Sequence, residues 1–171
     1  MSNTLAAPGD LTDFPGAPFV DALVDAAVAS LRREVGWHIA PSVDETLTVD
    51  ASGGHWLMLP TMHLTAVAEV RNVSGDGDPV VITGWRFKRS GMLYRAGGWP
   101  HGVGAIEVDV THGEAETPPE LLPVIAERCQ VAKRRVDLNS RSLGDLSENY
   151  RGEYSEENRR ILSMFTIPWS P

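Results

Sequence analysis

Five histidines are the residues of this chain best equipped to hold a metal or move a proton: His38, His55, His63, His101 and His112. Metal sites announce themselves in sequence by ligands at the i, i+3 or i+4 step of a helix, or in Cys-x-x-Cys and His-x-Glu frames. None of the five has such a partner. Each sits beside a tryptophan, a strand end or a glycine turn, where a half-buried histidine is ordinary. Asp76-Gly77-Asp78 resembles the opening of a calcium loop, but the closing glutamate is missing and a hairpin turn is the simpler reading. Glu107 and Asp109 share one face of an alternating segment whose other face is Ile106, Val108 and Val110, so the carboxylates face solvent. No Gly-x-Ser-x-Gly, no Gly-x-x-x-x-Gly-Lys and no strand-bound glycine-rich fingerprint occurs. The lone Cys129 cannot form an internal disulfide and reads as a small buried hydrophobe. These residues predict no catalytic, cofactor or metal site, and a protein that is not an enzyme.

The charge balance narrows the partners. Fifteen basic residues stand against 23 acidic ones, a net charge of −8, which argues against a protein whose affinity rests on neutralising phosphates. Residues 1–60 hold two basic residues (Arg32 and Arg33) against eight acidic ones, whereas residues 117–171 hold eight of each. An acidic front and a neutral back suit two differently used faces, and solubility alone accounts for the same count. No run approaches the ~18 apolar residues of a membrane span. The first residues lack the basic start and apolar run of a secretory signal, so export by that route is not expected.

One further group is chemically conspicuous for its greasiness. The chain ends with Ile161, Leu162, Met164, Phe165, Ile167 and Trp169 close together behind a polar stretch, residues 138–152. So much apolar surface at a terminus is not left in water. Either it folds back on its own core or it inserts into a neighbour, and these six residues are the candidate neighbour-binding site, with Trp169 as the anchor.

The elements that must position these groups can be read in order. Residues 1–17 read as a mobile lead-in. Pro18 opens a first helix, with Asp21 and Asp25 toward its positive end and Phe19, Leu23, Ala27, Leu31 and Val35 as its apolar stripe. Arg32 and Arg33 suit its last turn and Gly36 its left-handed stop, after which Trp37-His38-Ile39-Ala40-Pro41 leaves as an extended, Trp-anchored corner. Strands follow: Glu45 to Val49, a Ser52-Gly53-Gly54 turn, His55 to Leu59 as the return strand, Leu64 to Val73, then short segments around Val81, Phe87 and Leu93. Residues 105–111 alternate most strictly of all. Thr117 with Glu120 makes a capping box for a second helix with Leu121, Leu122, Ile125, Cys129, Ala132 and Val136 inward. Pro123 bends that helix or marks its regular start. Lys133-Arg134-Arg135 near its end compensates the dipole rather than binding nucleic acid. Ser155 caps a short final helix.

The ordered set of motifs carries a resemblance. A Phe14-Pro15-Gly16-Ala17-Pro18-Phe19 lead, the corner 36–41, and Leu57-Met58-Leu59-Pro60 come first. Gly91-Met92-Leu93-Tyr94, Gly98-Trp99-Pro100, Val110-Thr111-His112-Gly113 and Pro119-Glu120-Leu121-Leu122 follow. From residue 14 to 136, and more loosely over 154–165, the chain resembles the head-to-tail connector (adaptor) proteins of long-tailed bacteriophages; Pro123 and a longer linker depart from the commoner pattern. The resemblance implies an α+β fold: N-terminal and C-terminal helices packed together, an antiparallel β segment inserted between them, and an extended C-terminal arm with a short helix. Its divisions are a flexible lead-in (1–17), an adaptor body (18–137), and a linker with the arm (138–171). The implied role is a structural ring, usually a dodecamer, beneath the portal protein. It extends the DNA channel without sequence-specific binding and offers a platform to the stopper and tail. The implied place is the neck of the virion, after assembly in the host cytoplasm, with no membrane and no cofactor. In relatives the terminal segment reaches the portal. The alternatives are another neck component, a stopper or tail-completion protein, or a small β-rich ligand-binding or catalytic domain using the histidines.

Overall fold

Periodicities of three and four near the two ends of the chain, and of two between them, become helices and strands in that order. The computed structural model describes residues 4–75, 77–140 and 155–168, the side chains of 135–140 excepted. A 3-10 turn (Pro8–Leu11) precedes helix α1 (Asp21–Val35). Strands β1 (Val43–Ser52), β2 (Trp56–Met58), β3 (Leu64–Asn72), β4 (Val80–Val81), β5 (Trp85–Lys88), β6 (Met92–Arg95) and β7 (His101–His112) follow, then helices α2 (Leu121–Ser140) and α3 (Glu156–Phe165). The architecture is mixed α+β. It divides into two units, residues 1–35 with 117–166, and residues 36–116 with 167–171.

In the helical unit α1 packs on α2. The face α1 buries is Val24, Ala27, Val28, Leu31 and Val35; the expected Leu23 is only half-buried, and the helix begins at Asp21 and not at Pro18. The carbonyl of Val20 accepts the N–H groups of Leu23 and Val24, which closes the first turn three residues later than the proline suggests. From α2 come Leu121, Val124, Ile125, Ala126 and Cys129, all buried. Burial also pushes the Cys129 thiol up from its usual value, which leaves it an inert filler. Arg128 is buried as well and donates from Nη1 to Ser30 Oγ (2.8 Å) and from Nη2 to Glu34 Oε2 (2.5 Å), tying α2 to α1 by charge-assisted bonds.

Several local expectations change. The segment read as a mobile lead-in contains the 3-10 turn and buries Leu5, Ala6 and Leu11, apolar residues too far apart to show a period. The Thr117 hydroxyl donates to the Leu5 carbonyl (2.5 Å) in place of the expected capping box. Pro123 does not start α2: the helix opens at Leu121, so the missing N–H falls in the first turn, where it has no intrahelical partner anyway. Because α2 continues to Ser140, Lys133 is not at its end. Its ammonium donates to the Gly16 carbonyl (2.9 Å) and lies over the Phe19 ring. The polar stretch of residues 138–152, expected to be loop, begins inside α2, which runs to Ser140; its remainder lies outside the described residues.

The β unit holds two sheets. One is four-stranded and antiparallel, in the order β1-β7-β3-β4; the other is three-stranded, in the order β2-β6-β5. The expected return strand, β2, therefore does not pair with β1. It pairs with β6, because the turn before it is engaged elsewhere: Trp99 donates to the Gly54 carbonyl (2.8 Å) and Arg95 to the His55 carbonyl (2.9 Å). Residues 64–72 are a strand, as their β-branched content requires, and residues 73–79 connect it to β4 as a hairpin loop in which Asp76 is outside the described residues. The inner faces of both sheets supply one core: Leu57 and Leu93 from the smaller sheet, Leu64, Val70, Ile106, Val108 and Val110 from the larger.

The exit from α1 is not extended. Gly36 takes the left-handed stop at φ +83, but Ile39 is also left-handed at φ +63. Ala40 N–H donates to the His38 carbonyl (2.9 Å), a γ-turn around a β-branched residue that costs on the order of 1–2 kcal/mol of local strain. Full burial of the Ile39 side chain offsets it. Gly91 shows where the backbone permits no side chain: at φ +79, a Cβ would stand 2.1 Å from the Thr61 carbonyl oxygen. Gly91→Ala is therefore expected to destabilise the fold by ~2 kcal/mol or more. Urea unfolding followed by tryptophan fluorescence measures it; a midpoint equal to wild type contradicts this packing.

Candidate functional site

The apolar arm was the sequence's main candidate. Ser155 caps α3, its Oγ accepting from Asn158 N (3.3 Å), and its own N–H donates to Glu127 Oε1 of α2 (3.1 Å). Asn158 Nδ2 donates to the other oxygen of Glu127. This two-point clamp seats α3 on α2 and fixes which residues it covers. Leu162 is 3% exposed and Ile167 5%, so the chain covers these two itself. Ile161 and Phe165 are half-buried, Met164 is 57% exposed, and Trp169 lies outside the described residues. Of the described members, Met164 with parts of Ile161 and Phe165 is what the arm offers to another surface.

The histidines are closer to one another than their sequence positions suggest, and their partners are structural. His38 and His112 rings lie 5.9 Å apart; His38 Nε2 is 2.6 Å from the Pro41 carbonyl and His112 Nε2 2.7 Å from Glu45 Oε1. A guanidinium can only donate, so Arg89 beside His63 Nε2 makes that nitrogen the acceptor and puts the ring hydrogen on Nδ1. Glu114 Oε1 stands 2.6 Å from that Nδ1, close in distance but off the hydrogen-bond direction. His63 O accepts from Gly113 N, and Glu114 N donates to the Ile39 carbonyl. The backbone bond from Glu114 to Ile39 thus pins the end of β7 to the γ-turn, with the His38 and His112 rings beside it. His55 and His101 are exposed and apart from this group. Among the described residues no group of three or more His, Cys, Asp or Glu is placed to hold a metal ion.

The feature that motif reading missed is a pair of opposed sheet faces. In the three-stranded sheet the register sets Trp56, Tyr94 and Arg86 in one row and Met58, Met92 and Lys88 in the next, all on the side away from the core. Trp56 and Met58 are each 46% exposed and Tyr94 37%. The Trp56 and Tyr94 rings lie 5.0 Å apart, with the Lys88 ammonium 4.9 Å from the Trp56 ring centre. A groove of about 340 Å³ beside Trp56 and Met58 is rimmed by Asp50, His101 and the exposed Val103. The signal was available: residues 79–106 contain four basic residues and no acidic one.

The outer face of the four-stranded sheet is the reverse. Thr46, Asp109 and Glu69 form one row and Thr48, Glu107 and Arg71 the next, with Asp44 alongside. Glu107 and Asp109 do share the outer side, as the alternation predicts. Arg71 makes a fork to Asp109 (2.6 and 3.0 Å) and reaches Glu69 (2.6 Å) and Glu107 (3.4 Å). Thr46 Oγ1 donates to Asp109 Oδ1 (2.6 Å). Hydrogen bonds from Arg71 and then Thr46 hold the Asp109 carboxyl below its usual range; the bonds from Arg71 to Asp109 and then Glu69 raise the guanidinium. One cation among these carboxylates leaves the face acidic.

A scan against protein-family models finds no match for this chain, and a search of curated proteins finds none either. Solved structures do share its fold. A chain in the neck of an empty GTA particle, computed with C6 symmetry, matches with a TM-score of 0.63 at 15% identity, covering 97% of this chain and 91% of that one. A chain in the neck of a native GTA particle, computed with C12 symmetry, matches at TM-score 0.55 and 19% identity, over 85% and 80% of the two chains. A chain of the native gene transfer agent (GTA) virion matches at 0.60 and 17%, over 94% and 86%. These chains and this one have a common fold.

The Asp109 contacts predict an acid dependence. A carboxyl whose folded value is depressed stabilises the fold fully above its unfolded value near 3.8, and that contribution is lost as pH falls through the lower folded value. Asp109→Asn should therefore lower stability above about pH 5 and converge with wild type at the acid end. Urea midpoints across pH 2–7 read this; a constant offset at all pH values contradicts it.

Proposed function

We propose that this protein is a structural component of a phage-type neck, a head-to-tail adaptor that assembles as a ring beneath the portal, extends the DNA channel and presents a platform to the stopper and tail. The observation that carries the reading is the fold match over nearly the whole of both chains to a component of a particle neck described with C6 symmetry, joined by a second described with C12 symmetry. The ordered motifs of residues 14–136 point the same way from an independent direction. Physical features agree with the role. A net charge of −8 lets DNA slide past without trapping its phosphates. No described helix is long and apolar enough to cross a membrane. The half-free apolar stripe of α3, ending in Met164, is the surface offered to the portal or to the next copy, with Trp169 as its further anchor.

Portal-bearing, tail-less capsids incubated with the purified protein test the reading, with electron microscopy of the portal vertex as the readout. A symmetric ring at that vertex, beneath the portal and above any stopper, is expected; protein scattered over the capsid or absent from it overturns the proposal. Met164→Asp is expected to leave the fold intact, since the side chain is more than half exposed, and to weaken capsid attachment by roughly 10- to 100-fold, the equivalent of one buried apolar side chain. Attachment equal to wild type removes the arm from the interface.

A further inference from the structure

We propose that the outer face of the three-stranded sheet docks on the outer face of the four-stranded sheet of a second copy of this chain, and that this head-to-tail contact is what closes the ring. The proposal rests on the ring-forming reading above and assigns the surfaces that form it.

The argument begins with what each face lacks. The three strands β2, β5 and β6 contain no carboxylate, and Arg86 and Lys88 flank Trp56, Tyr94, Met58 and Met92 on their outer side. The outer side of the larger sheet carries Asp44, Glu69, Glu107 and Asp109 with Arg71 as the cation among them. In a chain of net charge −8, three aromatic and methionine strands without a carboxylate of their own, with Asp50 at the rim of the neighbouring groove, are a strong segregation of charge. Random solubilising substitution would scatter acidic residues over both faces.

Shape and position complete the case. Large side chains stand on one face, whereas the other presents the small Thr46, Thr48, Ala66 and Ala68; a depression of about 270 Å³ lies at Thr46 and Ala68, beside Asp44 and Asp109. The inner faces of the two sheets share one core, so their outer faces look in opposite directions. A surface that fits its complement on the far side of the same molecule cannot satisfy itself. It can only be satisfied by another copy, in a heterologous contact that repeats from one protomer to the next. Arg86 and Lys88 then meet carboxylates, and the aromatic and methionine side chains lose their water against alanine and threonine. A nucleic acid is the other occupant a basic aromatic sheet attracts. The acidic counter-face and the overall negative charge favour the second copy.

The test is a charge exchange followed by sedimentation velocity at low salt, with near-UV circular dichroism to verify folding. The exchanged side chains are exposed and outside the Arg71 network. Wild type should self-associate as concentration rises. Arg86→Glu with Lys88→Glu should weaken association at least tenfold, and so should Asp44→Lys with Thr48→Lys. An equimolar mixture of the two variants should recover assembly, since the acidic small-sheet face of one then meets a large-sheet face of the other that has gained two lysines and lost its net negative charge. A monomeric wild type, unchanged association in either variant, or a mixture that fails to recover overturns the assignment. So does duplex DNA binding that the Arg86→Glu, Lys88→Glu variant loses while its self-association stays at the wild-type level. Joining to portal-bearing capsids is scored in parallel. Protein that joins capsids without these effects refutes the faces and spares the neck reading; protein that obeys the charge exchange yet never joins capsids does the reverse.

Discussion

Strand β7 is the member on which both faces of the β unit depend. Its alternation puts Ile106, Val108 and Val110 into the core and Glu107, Asp109 and Thr111 on the outside, with β1 and β3 hydrogen-bonded on either side. A slip of one residue would drive two carboxylates into the core and expose three aliphatic side chains, so burial fixes the register strongly. The fork from Arg71 on β3 and the hydroxyl of Thr46 on β1 both end on Asp109, which fastens the same register from both neighbours. Core and outer surface are thus two consequences of one period of two.

That period was legible in residues 105–111 because every position there agrees with it. The two principal helices were legible for the same reason, although α1 buries Val24 and Val28 where the stripe had named Leu23: a three-to-four spacing admits more than one line of residues along a helix. Pairing was not legible. The partner of β1 lies beyond every other strand, and no local signal distinguishes it from the nearer β2. The second sheet became visible only through long-range backbone bonds such as Trp99 to Gly54. Left-handed Ile39 was equally hidden, since a β-branched residue there violates local preference and survives only because the surrounding core overrides it. Among the arm residues, sequence identified the apolar set but not its division, because the clamp from Glu127 on α2 decides that Leu162 turns inward and Met164 outward.

The histidines illustrate how reactive residue types can be spent on structure. Ile39, Gly113 and Glu114 bring two chain segments together at the end of β7, where a Cβ on Gly113 would lie 3.1 Å from the Ile39 carbonyl oxygen. Backbone this close leaves polar groups that water cannot reach, and side chains with both donor and acceptor atoms are what satisfies them. His38 on the Pro41 carbonyl does this; His63 beside Arg89 and His112 buried against Glu45 meet side chains instead. A proton shuttle needs an open approach for a substrate, and His63 and His112 are covered.

The uneven placement of charge bears on assembly more than its total does. Solubility asks only that the net charge be far from zero, a demand that any distribution of 23 carboxylates meets. A ring of identical copies asks for something more specific: two unlike surfaces on each copy, complementary to one another and unable to meet within it. The proposed contact draws that property from the two sheets of the β unit, whose remaining faces lie outside the core they share. The same strand alternation that stabilises the isolated unit therefore also produces the polarity that a head-to-tail assembly requires, without any residue being set aside for that purpose alone.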